Sequence, residues 1–283
     1  MRERKRTALV FSLPALSVLV AVVVLPISYV LFLSFTNYSF YRPTYDFIGI
    51  EKYYQIFLDQ YFTQSLLKTA LYILITVFLS LFFGLILSLL LNQKVACKTF
   101  HYLAIGFPML IAPVGVGLIW KMILHPELGI LSYMFGRKDF LGNPSYALIT
   151  VALIDVWQQT SFASIVLLAG LRSLPKEPYE AAIIDGANAW QVFRYVTFPQ
   201  ILSILGILGI LQILTELRTY DLIYVLTKGG PGVSTDLISY YIYRRAFLFL
   251  DLSSASAMSV TLLLLTLVLV SIFYWAFFVK TTQ

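Results

Sequence analysis

Six stretches of this sequence are too long and too apolar to fold anywhere but in a membrane. They cover approximately residues 8–35, 64–92, 100–124, 145–170, 200–226 and 253–279. A bilayer core about 30 Å thick is crossed by roughly 20 apolar residues in helical form. The runs are continuous rather than alternating. In lipid each segment must satisfy its own backbone polar groups, so helices are expected throughout. The mean hydropathy of +0.84 and the charged content of 12% extend the argument to the whole chain, since a soluble domain is about one-quarter charged. A soluble enzyme, a disordered chain and a nucleic-acid-binding domain are excluded.

The expected fold class is an all-α integral membrane protein with six transmembrane helices in one domain, residues 1–283. The longest connections, 36–63 and 171–199, are too short to be domains of their own. Pro14 and Pro26 in the first span, and Pro108, Pro113, Gly115 and Gly117 in the third, are expected to bend helices or permit close packing. The basic start Met1-Arg2-Glu3-Arg4-Lys5-Arg6 precedes an apolar run too long for a secretory signal, so it reads as a retained first helix. With the N-terminus inside, ten basic residues fall on the cytoplasmic side (Arg2, Arg4, Lys5, Arg6, Lys94, Lys98, Arg172, Lys176, Arg194, Lys280) and nine outside. The density around the first helix favours this orientation, and an even number of spans returns the C-terminus to the cytoplasm. Lys68 and Lys121, near span ends, are expected to snorkel to the interface.

Catalytic chemistry is hard to find. The two histidines, His101 and His125, have no second metal ligand at a useful spacing. No nucleophile elbow is present, and the single Cys97 cannot form a disulfide within the chain. The sequence Lys228-Gly229-Gly230-Pro231-Gly232 lacks the Lys-Ser/Thr ending of a nucleotide-binding loop and is expected to be an outer turn. Neither a catalytic residue nor a metal site is expected, and no cofactor on this chain.

The connection 171–199 carries the strongest signal. Pro178 suits a first helical turn, with Glu177 and Glu180 near its positive end. Tyr179, Ala182, Ile183 and Gly186 follow at helical spacing. Asn188 can cap a second short helix bearing Trp190, Phe193 and Val196 along one side, and Pro199 is expected to open the next span. A bent element with one apolar face could receive a protein or lie flat on the bilayer; composition does not separate the two.

Its spacing is more specific. Glu180-Ala181-Ala182, three residues, Gly186, nine residues, then Val196-Thr197-Phe198-Pro199 resembles the EAA loop of permease subunits of binding-protein-dependent ABC importers, with Val and Phe in place of the usual Ile and Leu. Leu226-Thr227-Lys228-Gly229-Gly230-Pro231-Gly232, with Tyr220-Asp221 before it and Tyr241-Ile242-Tyr243 after it, is similar to the same region of the carbohydrate-type members for maltose, multiple sugars and glycerol-3-phosphate. Near Ser253 that group commonly has a glycine.

The resemblance implies a second permease subunit, usually a different homologue, two cytosolic ATPase subunits that hold ATP and Mg, and an extracytoplasmic solute-binding protein. The setting would be a bacterial or archaeal cell membrane. It also implies that Tyr179, Glu180, Ala181, Ala182, Ile183, Asp185, Gly186, Trp190 and Pro199 couple to the ATPase, with Gly229, Gly230 and Pro231 in an outer loop.

A charge near mid-bilayer costs about 2.5–3.5 kcal/mol, so buried polar residues usually face a cavity or a partner. In the fourth span Asp155, Gln158, Gln159 and Phe162 share a helical face, with Trp157 beside it. In the fifth, Gln212, Glu216 and Tyr220 lie four apart, followed by Asp221. Amides, carboxylates and rings together suit a sugar's hydroxyls and C–H faces. Bonds between helices or to a second permease would use the same groups. An ion-coupled secondary transporter could also use Asp155 and Glu216 but would need no ATPase-gripping loop. An intramembrane enzyme lacks its motif.

Overall fold

A computed structural model describes residues 2–41, 43–93 and 97–275, apart from the side chains of 2–10 and Lys98. Of the basic residues counted for orientation, Arg42, Lys94 and Lys280 lie outside the described residues, as do the side chains of Arg2, Arg4, Lys5, Arg6 and Lys98. Among the described residues five helices are long and apolar enough to cross a membrane: α1 (Phe11–Leu33), α3 (Gln60–Asn92), α7 (Pro144–Ser173), α9 (Ala189–Glu216) and α12 (Leu252–Tyr274). A bent pair, α4 (Thr99–Leu110) and α5 (Pro113–Ile123), brings the number to six if it is counted as one span. The short helices are α2 (Glu51–Leu58), α6 (Ile130–Met134), α8 (Glu177–Ile184), α10 (Asp221–Leu226) and α11 (Ile238–Tyr243).

The third span, expected over 100–124 with prolines that bend it, is bent sharply: its halves meet at 99°. Pro113 has no N–H to donate and drives the residue before it out of the helical region. Ile111 (φ −85°, ψ 129°) and Ala112 (φ −59°, ψ 143°) are accordingly extended. The fifth span differs from 200–226. Pro199 does not open it, because α9 runs through that residue after a π turn at Val192–Thr197. A wide turn accommodates a residue that breaks the i→i−4 ladder. At the other end α9 stops at Glu216, where Arg218 Nε donates to the Leu214 carbonyl (3.1 Å) and the backbone leaves the helix before α10.

The chain divides into two compact units, residues 1–63 with 242–265 and residues 64–241 with 266–283. Each division falls inside a helix, so no linker marks it. In the first unit Ser253 Oγ accepts the Tyr38 N–H (2.6 Å), Phe40 N–H reaches the Leu250 carbonyl (3.1 Å), and Arg245 pairs with Asp59 at 2.5 Å. Ser253, where a glycine is common in the resembling group, therefore supplies an acceptor that glycine lacks.

In the second unit α7 is the central helix, with 61% of its apolar window buried. Ala163, Leu167 and Leu171 pack with Ile201 and Leu208 of α9. Small residues set the approach: a Cβ on Gly84 of α3 would fall 2.6 Å from that of Ala163, and one on Gly117 of α5 would fall 2.9 Å from Val225.

Candidate functional site: a polar cleft and an exposed helical handle

The break between α4 and α5, the polar face of α7 and the end of α9 enclose a cleft of 690 Å³ in the second unit. Asp155, Gln158, Gln159 and Phe162 line it from α7, Gln212 and Thr215 from α9, Arg218, Thr219 and Tyr220 from the turn that follows, and Asp221 from the start of α10. Seven of the nine residues singled out for a substrate path therefore border one space. Trp157 does not: two residues on from Asp155, it lies on another side of α7 and packs edge-on against Trp120 (5.6 Å). Nor does Glu216, which is 1% exposed, accepts from Thr219 Oγ1 through Oε2 (3.1 Å), and faces Asp155 and Gln159 behind the lining. Tyr220 reaches the cleft from beyond the end of α9 rather than along its face. There it stacks on Tyr224 (5.5 Å) and Tyr240 (5.9 Å).

The cleft's polar groups are fixed from behind. The buried Tyr72 hydroxyl donates to Asp155 Oδ2 at 2.5 Å, and Ser80 Oγ donates to Gln212 Oε1 at 3.0 Å. Both donors lie on α3 in the run Ser65, Thr69, Tyr72, Thr76 and Ser80, each 3% exposed or less. Those positions are four, three, four and four apart, one helical face. Hydropathy does not mark that stripe, because hydroxyls barely lower the mean of a span. Gln158 has a different task from the one expected of it alone: its Nε2 donates to the Ile111 carbonyl (2.7 Å), one of the acceptors freed by the break. Gln212 Nε2, in contrast, is buried with no acceptor among the described residues. A buried unpaired donor costs about 1–3 kcal/mol unless water or a ligand accepts from it.

Lys68 Nζ donates to the Val233 carbonyl (2.6 Å) and Lys121 Nζ to that of Val225 (2.8 Å). Gly229, Gly230 and Pro231 form a compact turn in which Thr235 Oγ1 donates to the Gly230 carbonyl (2.8 Å) and Gly229 takes φ +81°. A Cβ there would also fall 2.9 Å from the Tyr240 ring, so glycine is required twice over. The turn is outside the cleft lining.

The second feature is built from α8, Gly186 and the start of α9. Gly186 turns the chain with φ +72°. Asn188 then caps α9 in a reciprocal box with Gln191, at 2.9 and 2.8 Å. Ile183 is 72% exposed, Ile184 85%, Trp190 67% and Tyr195 75%. Glu180, Ala181, Asp185 and Pro199 are also exposed, whereas Ala182 is half-buried. Tyr179 is half-buried too and its hydroxyl donates to Thr197 Oγ1 (3.2 Å), which ties α8 to the π turn. The outward apolar surface is thus Ile183, Ile184, Trp190 and Tyr195, two of which the spacing did not bring forward.

Residues 63–279 match the family model described as the binding-protein-dependent transport system inner membrane component. The chain belongs to this family. It is 33% identical to the sulfoquinovosyl glycerol transport system permease protein SmoG of Agrobacterium fabrum, over 84% of this chain and 79% of that one. It is 32% identical to the multiple sugar-binding transport system permease protein MsmF of Streptococcus mutans, over 76% of each. Its fold is similar to a chain in the crystal structure of a bacterial alginate ABC transporter bound to an alginate pentasaccharide-loaded periplasmic protein, with a TM-score of 0.83 at 23% identity, covering 96% of this chain and 94% of that chain. The protein is a multi-pass membrane component of a transport system.

Proposed function

We propose that this chain is the permease subunit of an ABC importer for a sugar or sugar derivative. In this reading the cleft forms half of the translocation path and the handle couples it to a cytosolic ATPase. One observation carries the proposal. Helix α9 runs without a break from the handle, at Ala189 and Trp190, to the cleft, at Gln212. Its 28 residues span about 42 Å at 1.5 Å per residue. A displacement imposed at one end of such a rod is delivered at the other.

The cleft offers amide and carboxyl groups beside Phe162 and Tyr220, a set suited to sugar hydroxyls and C–H faces. The names of SmoG and MsmF favour the same class of solute. The N- and C-termini lie in the cytoplasm, which puts the handle there as well. ATP and Mg sit on two separate ATPase subunits. A second, different permease subunit completes the path, and a solute-binding protein delivers the substrate from outside.

The test is uptake of labelled glycosides into proteoliposomes containing this chain with its ATPase, partner permease and binding protein. Transport that needs ATP hydrolysis, and fails when the ATPase is omitted, supports the reading. Uptake that persists without the ATPase overturns it.

A further inference from the structure

A second recess lies apart from the cleft, between the C-terminal end of α3, α4 and the last turns of α7. It encloses 310 Å³ and is lined by Leu91, Tyr102, Ile105, Ile165, Leu168 and Ala169, with Arg172 as its one charged lining residue. Apart from Tyr102 and Arg172 the walls are hydrocarbon. Helix α7 has 30 residues, about 45 Å of helix against a core of about 30 Å. Arg172, one residue from its end, therefore stands at a membrane–water interface. Its guanidinium lies 5.4 Å from the Tyr102 ring centroid and an Nη donates to the Tyr102 hydroxyl. Among the described residues no carboxylate pairs with it.

We propose that this recess binds an anionic phospholipid, with an acyl chain in the apolar slot and the phosphate on Arg172. A cation at the end of a helix is favourable by itself, but that does not account for an oily slot opening beside it. An amphiphile with a negative head matches both parts. The fixed fork of a guanidinium meets phosphate oxygens in pairs, and basic pockets between membrane helices hold such headgroups. Tyr102 braces the guanidinium over the slot. The site does not depend on which end of α7 is cytoplasmic, because both interfaces present phospholipid phosphates.

The experiment uses the intact transporter with its partner subunits, exchanged into nanodiscs of phosphatidylcholine and phosphatidylglycerol. Lipids retained after extraction into detergent are then counted by native mass spectrometry. Phosphatidylglycerol should be enriched about fivefold over phosphatidylcholine. Arg172→Gln should remove the enrichment, and Ala169→Trp, which fills the slot and keeps the charge, should reduce retention of both lipids. Added inorganic phosphate should displace neither. Equal enrichment in wild type and Arg172→Gln overturns the proposal. So does displacement by phosphate, or a crosslink from Ala169 that captures the ATPase in place of lipid. If Arg172→Gln does not assemble, unchanged retention by Ala169→Trp overturns it equally.

Discussion

The handle and the cleft break the usual partition of side chains in opposite ways. The handle leaves Ile183, Ile184, Trp190 and Tyr195 exposed in a segment that also carries Glu177, Glu180, Asp185 and Arg194. The cleft keeps Asp155 and Gln212, with Glu216 behind them, at 4% exposure or less in spans otherwise fit for lipid. An exposed apolar group among charges gains by meeting another apolar surface. A buried polar group is held by exact hydrogen bonds or awaits a polar visitor. The handle's backbone is accordingly secured while its side chains stay open. In the cleft the side chains themselves are locked, Asp155 by Tyr72 and Gln212 by Ser80. On the function proposed above, one region is there to be gripped and the other to stay in register while a solute passes.

The largest effect should come from breaking the handle's surface without touching its fold. Trp190→Asp together with Ile183→Asp removes an aromatic anchor and introduces charge. Truncating a single anchor at an interface costs about 2 kcal/mol or more, roughly 30-fold in affinity. ATPase co-purification should therefore fall by at least about 30-fold. The melting temperature of the isolated chain in detergent should hold steady, since exposed substitutions usually stay within about 0.5 kcal/mol. If the chain melts early while ATPase capture persists, the patch belongs to the protein's own core and the contrast with the cleft is lost.

The cleft should respond in the reverse sense. Tyr72→Phe leaves Asp155 buried without its hydroxyl donor, a penalty of about 1–3 kcal/mol. Thermal unfolding of the purified chain should register that loss, with ATPase capture unchanged. Gln212→Leu removes the unpaired Nε2 and should keep or raise stability while lowering transport of a labelled glycoside. A variant that transports normally would remove Gln212 from the path.

Gly186 sharpens the comparison further. A Cβ there would meet nothing within 4 Å, so bulk is not the issue; only the left-handed backbone matters, at about 1–2 kcal/mol for an L-residue. Gly186→Ala and Gly186→Leu should therefore impair the coupling of transport to ATP hydrolysis to a similar degree, and Gly186→Asn should retain most of it. Paired uptake and ATPase assays on one preparation measure this. A graded loss with side-chain size would show instead that a partner packs against the turn.

The six apolar runs and the helix–Gly–helix element were legible because each rests on local rules: span length, a cap, a positive-φ glycine. The face Asp155, Gln158, Gln159, Phe162 was legible for the same reason, being one helical period in one span. What was missed is non-local. The meeting of Tyr72 with Asp155 joins residues 83 apart, and periodicity within α3 shows a polar stripe without saying what it faces. The ends of α9 were misplaced because apolar composition continues past Glu216 into α10, whereas the helix stops where Arg218 takes the Leu214 carbonyl. Pro199 misled in the other direction. A proline ordinarily marks a helix start, but the π turn before it carries α9 across.

The smallest effect tests whether the handle is held still before it is gripped. Asn188 Oδ1 accepts the Gln191 N–H while Gln191 Oε1 accepts the Asn188 N–H. Loss of such a cap costs about 1 kcal/mol, or roughly fivefold more frequent opening of the first turn. Asn188→Ala should accelerate hydrogen exchange at the Gln191 amide by about that factor, and Gln191→Ala should do the same at Asn188, because the box is reciprocal. Asn188→Ser, which can still cap, should stay near wild type. None of these should alter exchange around Gln212, a region secured by its own bond to Ser80. With the ATPase bound, docking should hold the turn in place of the cap and the fivefold difference should shrink toward unity. If it persists in full in the assembled transporter, nothing grips Trp190 and its neighbours, and the exposed apolar surface lies against lipid headgroups instead.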